Sequence, residues 1–370
     1  MSESNTQTIS SDGFFLPELP RLLPYAYHPN AAQIEIASNG WVRRMLGACF
    51  AGEAELLYFL RQRNGIYGPL TVPKTDERRA RDIADWYQFV TVIDSFVSDS
   101  AELGASDSAA RREFARIMAE FDRDDAAGHD HASGPDAAEH SGTDFPYGRA
   151  ARDLWRRIAS GLSERQRGRF ALSLEAFLRG CATEIGAKLD HRIPDYETCM
   201  NVRVSSFGCD FIELMTEYAA GVDMSEPAAS GVLDDVHDHC MRQMIIVNDL
   251  LSWRKEYAQR DVMTVVRVLC EHEGLGLQQA VDRLCELVEY HEKSYIAARD
   301  RLLDGPLGCR ADLRAYLDGL DYLIGGSQEF EYLTPRYFGD GSVWDGTTSG
   351  WLSLSAPIAR FLPAQRVAAG

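Results

Sequence analysis

Apolar residues recur at intervals of three and four along most of the chain. Within residues 80–100 the repeating positions are Ile83, Trp86, Tyr87, Val90, Ile93 and Val97. This spacing is typical of the buried face of an α-helix. The same pattern covers residues 164–189, 195–218, 231–257, 262–273, 277–303 and 311–330. Because no segment shows a convincing alternation of a half-buried strand, the chain is predicted to be all-α, with roughly ten or more helices.

The helical segments are joined mostly by short connectors, which predicts a single domain over residues 1–370. We expect a polar tail at 1–15 and a second tail at 340–370. Residues 122–148 are different, because they contain few aliphatic side chains and many Asp, Gly, Ala and His. Such a composition cannot bury a core, so a mobile surface loop is predicted there.

A short polar stripe follows the apolar run Met244–Val247 on a predicted helix. At 100° per residue, Asn248, Ser252 and Glu256 turn by only about 40° per step and rise about 6 Å. Their amide, hydroxyl and carboxylate oxygens are hard ligands that suit Mg²⁺ better than Zn²⁺. Lys255 lies close to the same stripe, and a cation beside a metal site indicates a multiply charged anion such as diphosphate. A polar helix face with an i,i+4 network is the alternative.

The segment Asn248–Glu256, NDLLSWRKE, resembles the NDxxSxx(R/K)E motif of class I terpene synthases. The resemblance implies that Asn248, Ser252 and Glu256 are metal ligands. It also implies that Lys255, with Arg254 beside it, binds the diphosphate of the substrate.

A second segment, DSFVSD at residues 94–99, is similar to the aspartate-rich motif of the same family. Asp94 matches the first Asp and Asp99 the last acid, whereas Ser95 replaces the usual second Asp. Five residues turn a helix by about 140°, so both acids face one ion only if the helix ends between them. The resemblance implies Asp94 as a bridging metal ligand and Asp99 as an outer one. The alternative is an acid pair without function.

Arg203 lies 45 residues before Asn248, at the spacing of the family's diphosphate-sensing Arg. Ser and Gly residues follow it, and these residue types weaken a helix. The resemblance implies Arg203 as the sensor, Ser206 as the linker and Phe207 as the effector, a role that Gly208 could share.

The dipeptide Arg336–Tyr337 matches the Arg-Tyr pair that caps the diphosphate in this family. The fork of an Arg side chain gives bidentate contacts to phosphate oxygens. Val90, Phe96 and Phe207 are expected to line the pocket, because each lies beside a predicted ligand or one helical turn from it.

The charge balance limits the partners. The 370 residues include 38 Lys and Arg against 56 Asp and Glu, a net charge of −18. This argues against a nucleic-acid or anionic-membrane surface but not against an anionic ligand in a basic pocket. No apolar run is long enough to span a bilayer. The eight Cys lack a CxxC pair and the N-terminus lacks a signal-peptide pattern, so buried free thiols in the cytoplasm are predicted.

Two acidic segments are interpreted as surface features. The DxDD pattern of Asp122, Asp124 and Asp125 resembles the acid motif of class II terpene cyclases, but a loop offers no apolar surroundings to raise a carboxyl pKa. In 234–239, His237 and His239 point to different helix faces, and the acids suit the first turn of a helix. No metal site is predicted there; the full set is Asp234, Asp235, His237, Asp238 and His239.

Taken as a resemblance, these motifs imply a class I isoprenoid synthase bundle of helices around an apolar cavity. Three Mg²⁺ would bind an allylic prenyl diphosphate, with geranylgeranyl diphosphate expected first and farnesyl diphosphate second. The cation formed would be cyclised to a terpene, and a homodimer is left open. A chain-elongating prenyltransferase would share fold and metals but carry two DDxxD motifs. A non-catalytic terpenoid-binding relative would explain Ser95.

Overall fold

The structure is a computed structural model that describes residues 12–98, 107–126 and 146–355. The prediction of an all-α fold is confirmed. The helices are α1 Ala31–Met45, α2 Glu53–Arg61, α3 Tyr67–Thr71, α4 Glu77–Ser98, α5 Asp107–Ala126, α6 Pro146–Ala159, α7 Glu164–Leu189, α8 Tyr196–Phe207, α9 Cys209–Ala220, α10 Ser225–Ala229, α11 Asp234–Gln259, α12 Val265–Glu271, α13 Leu277–Asp304, α14 Ala311–Leu333 and α15 Pro335–Phe338.

The helix that carries the predicted metal stripe, α11, lies at the centre of the fold. It packs against α8, α12, α13, α14 and α15. Consecutive residues Met244–Val247 are all buried, so this part of α11 is apolar around its circumference. A helix enclosed on several sides holds its side chains in fixed positions, as a binding site requires.

Helix starts follow local sequence signals. Ser163 caps α7: its hydroxyl accepts the Gln166 N–H at 3.2 Å, and the Gln166 amide oxygen accepts the Ser163 N–H at 3.0 Å. Asp195 caps α8 by accepting the N–H of Thr198 at 3.0 Å. These caps fix the ends of two helices that contribute to the cavity described below.

The structure also contains one pair of short strands that the sequence pattern did not indicate. Strand β1, Gly13–Leu16, pairs antiparallel with β2, Gly350–Ser353. The bounds predicted for the two tails, 1–15 and 340–370, therefore include residues of the fold, since Phe14 and Leu352 are buried in the core. Four-residue strands are too short to show a distinct period of two, which explains why the pattern did not reveal them.

The predicted surface loop at 122–148 overlaps the ends of two helices. Helix α5 continues to Ala126 and α6 begins at Pro146, while residues 127–145 lie outside the described residues. All eight Cys are free, but Cys309 is exposed rather than buried. Among the described residues, no helix is long and apolar enough to cross a membrane. The compartment stays a prediction.

Candidate active site

One cavity opens between α4, α7, α8, α11, α14 and α15, with about 1200 Å³ of empty space including its mouth. Its inner wall is apolar and its mouth is charged. The apolar and aromatic side chains on the wall are Tyr67, Tyr87, Val90, Phe177, Ile185, Phe207, Phe211, Ile212, Val262 and Met263. The polar side chains are Thr91, Asp94, Glu184, Lys188, Arg203, Ser206, Asn248, Ser252, Lys255, Glu256, Asp261, Glu331, Arg336 and Tyr337.

Aromatic rings form much of the inner wall. Tyr67 and Tyr87 stack with their ring centroids 3.8 Å apart, and Phe177 meets Phe211 edge to face at 5.3 Å. Ring faces of this kind attract positive charge through their quadrupole. The wall can therefore shape an apolar chain and stabilise a cation inside it.

At the mouth, α4 presents Asp94 to the last helix of the fold. The Arg336 Nη2 donates to the Asp94 carboxylate at 2.8 Å, and its Nη1 donates to the Ser95 hydroxyl at 2.9 Å. Thr334 and Pro335 start α15 and thereby aim Arg336 at α4. The residue that departs from the aspartate-rich motif thus helps to hold Arg336 at the cavity mouth.

On α11 the predicted stripe faces the cavity as one unit. The Ser252 hydroxyl lies 2.6 Å from both the Asn248 carbonyl oxygen and the Glu256 carboxylate. The Asn248 amide donates to Glu331 at 3.2 Å and to the Tyr337 hydroxyl at 3.0 Å. The amide nitrogen of Asn248 thus faces Glu331 and Tyr337, and its amide oxygen is free to accept a hydrogen bond from another side.

That acceptor is used by Arg203 from α8. The Arg203 guanidinium donates to the Asn248 amide oxygen at 3.1 Å and to Asp249 at 2.6 Å. It also donates to Glu184 of α7 at 3.3 Å. Arg203 therefore joins three helices through the rigid, planar fork of its guanidinium, which a compact ammonium group lacks.

The predicted helix break lies at Gly208, one residue after Phe207. Gly208 has φ +80°, ends α8 and precedes α9. A Cβ at this position would lie 2.0 Å from the Phe211 ring, so both conformation and space require glycine. Phe207 lines the cavity, whereas Gly208 is not among the lining residues.

Two carboxyl groups of the cavity, Glu184 (partly buried) and Glu331 (buried), were not foreseen from the sequence. Glu184 accepts hydrogen bonds from Ser206 and Arg203, and burial raises its pKa to about 7. Glu331 accepts from Asn248, and burial raises its pKa to about 8. Each lies on a long helix whose sequence shows only an apolar stripe with scattered acids, so nothing in the pattern distinguished them.

The site residues predicted from the sequence divide into three groups. Asp94, Asn248, Ser252, Glu256, Arg203, Ser206, Lys255, Arg336, Tyr337, Val90 and Phe207 all line the one cavity. Arg254 does not, which corrects its expected place beside the diphosphate. It lies about 120° around α11 from Asn248, on a different face. Asp99 and the side chain of Phe96 lie outside the described residues, so their predicted roles stay predictions.

The donor set fits a hard divalent cation. Asp94 on α4 and the α11 stripe supply carboxylate, amide and hydroxyl oxygens to one cavity, and no thiol or imidazole group is among its described lining residues. Oxygen ligands of this kind suit Mg²⁺. All four of these groups make hydrogen bonds within the protein: Asp94 accepts from Arg336, Asn248 accepts from Arg203, and Ser252 donates to Glu256.

The raised pKa values predict how pH affects the stability of the protein without ligands. Burial raises the pKa of Glu184, Glu256 and Glu331 from 4.5 to between about 7 and 8. Between the usual and the raised pKa, each of these three groups binds more protons in the folded chain than in the unfolded chain, so its contribution to stability falls as pH rises. We expect the Tm to drop by about 5 °C from pH 5 to pH 8. Glu331→Gln should flatten the profile measured by scanning calorimetry; an unchanged slope would contradict this assignment.

The comparisons with known proteins agree with one another. Residues 85–294 match the family described as Terpene synthase family 2, C-terminal metal binding. The chain is 25% identical to alpha-muurolene synthase from Coprinopsis cinerea, over 92% of this chain and 77% of that protein. It is 26% identical to sesquiterpene synthase Agr3 from Cyclocybe aegerita, over 88% and 89%.

Among solved structures, the fold is similar to that of the linalool/nerolidol synthase from Streptomyces clavuligerus in complex with 2-fluorogeranyl diphosphate. The TM-score is 0.69 at 20% identity, and the match covers 83% of this chain and 100% of that one. At this identity the likeness shows the fold alone.

Proposed function

This chain belongs to the terpene synthase family, and on that premise we propose that it ionises farnesyl diphosphate with Mg²⁺ and cyclises the cation. The observation that carries the proposal is the placement of Asp94, the α11 stripe and Arg203 around one cavity with an apolar inner wall. The family match is to its metal-binding domain, which supports a divalent metal as the cofactor of the proposed site.

The charged mouth would bind the diphosphate. Asp94, Asn248, Ser252 and Glu256 would hold the metal ions, which we propose to be three Mg²⁺. Arg203, Lys255, Arg336 and Tyr337 would donate to the remaining phosphate oxygens. Bound Mg²⁺ would neutralise the negative charge that develops on the leaving group.

The apolar wall would control the cation that remains. When the carbon–oxygen bond breaks, its electron pair leaves with the diphosphate and an allylic cation stays behind. Tyr87, Phe177 and Phe211 surround the space into which the chain must fold, and their rings can stabilise positive charge. Arg336 and Tyr337 cover the mouth, which keeps bulk water from trapping the cation early.

The substrate order expected from the sequence is revised here. The resemblance in the sequence implies geranylgeranyl diphosphate first and farnesyl diphosphate second. The relative Agr3 is named a sesquiterpene synthase, and this chain matches 89% of its length. A C15 substrate is therefore the better proposal, and the ring system of the product stays open.

The two alternatives are less well supported. A chain-elongating prenyltransferase would need a second DDxxD motif, and NDLLSWRKE stands in its place. A non-catalytic relative would be expected to lose its basic groups, whereas Arg203, Lys255 and Arg336 all line the cavity.

One assay separates the three functions. The purified protein is incubated with Mg²⁺ and C10, C15 or C20 prenyl diphosphates, with and without isopentenyl diphosphate, and the products are identified by mass spectrometry. A cyclic C15 hydrocarbon or alcohol is expected. A longer prenyl diphosphate would favour the prenyltransferase, and no turnover of any substrate would favour the binding protein.

Ser95 gives a further prediction. Because its hydroxyl accepts from Arg336 beside Asp94, Ser95 already takes part in the mouth. We expect Ser95→Asp to change kcat/KM by less than about tenfold, since Asp94 supplies the bridging carboxylate, and tenfold corresponds to about 1.4 kcal/mol. Ser95→Ala is the matched control that removes the acceptor. A gain above tenfold for Ser95→Asp would mean that the native motif is impaired.

A further inference from the structure

Two His side chains meet on the side of α11 that faces away from the cavity. His239 of α11 and His291 of α13 approach with their Nδ1 atoms 3.0 Å apart. The Oδ2 of Asp238 lies 3.7 Å from the same His239 nitrogen. One possible ligand atom from each of these three residues lies within 4.8 Å of the other two. Three ligand atoms thus converge between two packed helices.

We propose that Asp238, His239 and His291 form a binding site for a divalent transition metal ion of the Zn²⁺ type. Zinc binds imidazole nitrogen and carboxylate oxygen at about 2.0–2.2 Å, so tetrahedral ligands lie about 3.3 Å from one another. The observed separations of 3.0 and 3.7 Å bracket that value. The nitrogen ligands separate this site from the all-oxygen set of the cavity.

The surroundings hold the ligands in place. His291 is buried between α11 and α13, so its ring has little freedom to turn away from His239. Arg242 donates to the Oδ1 of Asp238 at 2.7 Å, which fixes the carboxylate and leaves Oδ2 turned to His239. The positive charge of Arg242 opposes a second cation, but it is offset by Asp238 and by Glu197.

The sequence did not predict this site, because residue spacing relates positions on one helix only. His237 and His239 do point to different faces: His237 contacts Tyr316 at 2.8 Å and Glu213 at 3.0 Å. The third ligand comes from α13, 52 residues after His239, and only the packing of α11 on α13 brings it there.

The site is separate from the cavity and would act on stability. His239 precedes Asn248 by nine residues, which is about 13 Å along α11 and half a turn around it. Asp238 and His239 are accessible from solvent, with 49% and 20% of their side chains exposed. A bound ion would join α13 to the helix that carries the catalytic stripe.

The test is a titration of the full chain with Zn²⁺ by calorimetry, in excess Mg²⁺ so that the oxygen ligands of the cavity are occupied. One equivalent is expected to bind, and binding should raise the Tm. His239→Ala should weaken this binding about 100-fold. Asp238→Asn, at an exposed position that tolerates change, should weaken it as well. His272→Ala, at an exposed His elsewhere, is the matched control and should bind like the wild type.

Co²⁺ provides an independent readout, since a tetrahedral site with nitrogen ligands gives visible absorption bands that should be lost in His239→Ala. The proposal is overturned if the wild type binds no Zn²⁺ under these conditions. It is equally overturned if His239→Ala and Asp238→Asn bind Zn²⁺ as tightly as the control.

Discussion

Replacement of Asn248 by leucine is expected to reduce kcat by about 100- to 1000-fold, comparable to the loss of one charge-stabilising group in an active site. The amide of Asn248 joins Arg203 on one side to Glu331 and Tyr337 on the other. Leucine is similar in size but offers neither a metal ligand nor a hydrogen bond. Glu256→Leu should give a loss of the same order, because it removes the carboxylate at the other end of the stripe.

Steady-state kinetics at several Mg²⁺ concentrations measure this effect. Asn201→Leu, at an exposed position of α8, is the matched control and should retain activity. Circular dichroism should show unchanged helicity in all variants, which excludes unfolding as the cause. Activity of Asn248→Leu close to wild type at limiting Mg²⁺ would contradict the proposed metal site.

The second large effect is expected at the two cavity arginines. Arg203→Lys and Arg336→Lys keep the charge but lose the fork that reaches several acceptors at once. Arg203 bonds to Asn248, Asp249 and Glu184, and Arg336 bonds to both Asp94 and Ser95. We expect each change to reduce kcat by about 100-fold, or roughly 2.7 kcal/mol of barrier.

A binding measurement accompanies the kinetics of these variants. A ligand that binds only the folded state raises the Tm in proportion to the logarithm of its concentration. Mg²⁺ with inorganic diphosphate should therefore protect both variants less than the wild type. Arg43→Lys, in an exposed ion pair with Glu53, is the control. Equal protection of all four proteins would show that Arg203 and Arg336 do not hold the anion.

Much of the site could be predicted because its residues lie on long helices with regular spacing. Asn248, Ser252 and Glu256 share a face by helical geometry alone, and α11 retains that geometry in the fold. The same arithmetic, applied to Arg254, would have placed it off this face. Its assignment came from its neighbour Lys255 in the motif rather than from its angle.

Other parts of the site depend on contacts between distant segments. Glu184 and Glu331 reach the cavity because α7 and α14 pack beside α8 and α11, and single-helix patterns contain no such information. Lys188 pairs with Asp261 at 2.5 Å at the edge of the cavity for the same reason. The pairing of β1 with β2 joins the two ends of the described chain, and short strands leave little periodicity to detect.

The most direct test of the account is a crystal structure of the protein with Mn²⁺ in place of Mg²⁺ and an unreactive farnesyl diphosphate analogue. Manganese gives anomalous scattering that locates each ion independently of the model of the protein. The account predicts ions beside Asp94 and within the Asn248, Ser252 and Glu256 stripe. It also predicts that the diphosphate contacts Arg203 and Arg336. Ions or diphosphate bound elsewhere, with these side chains still bonded to one another, would contradict it.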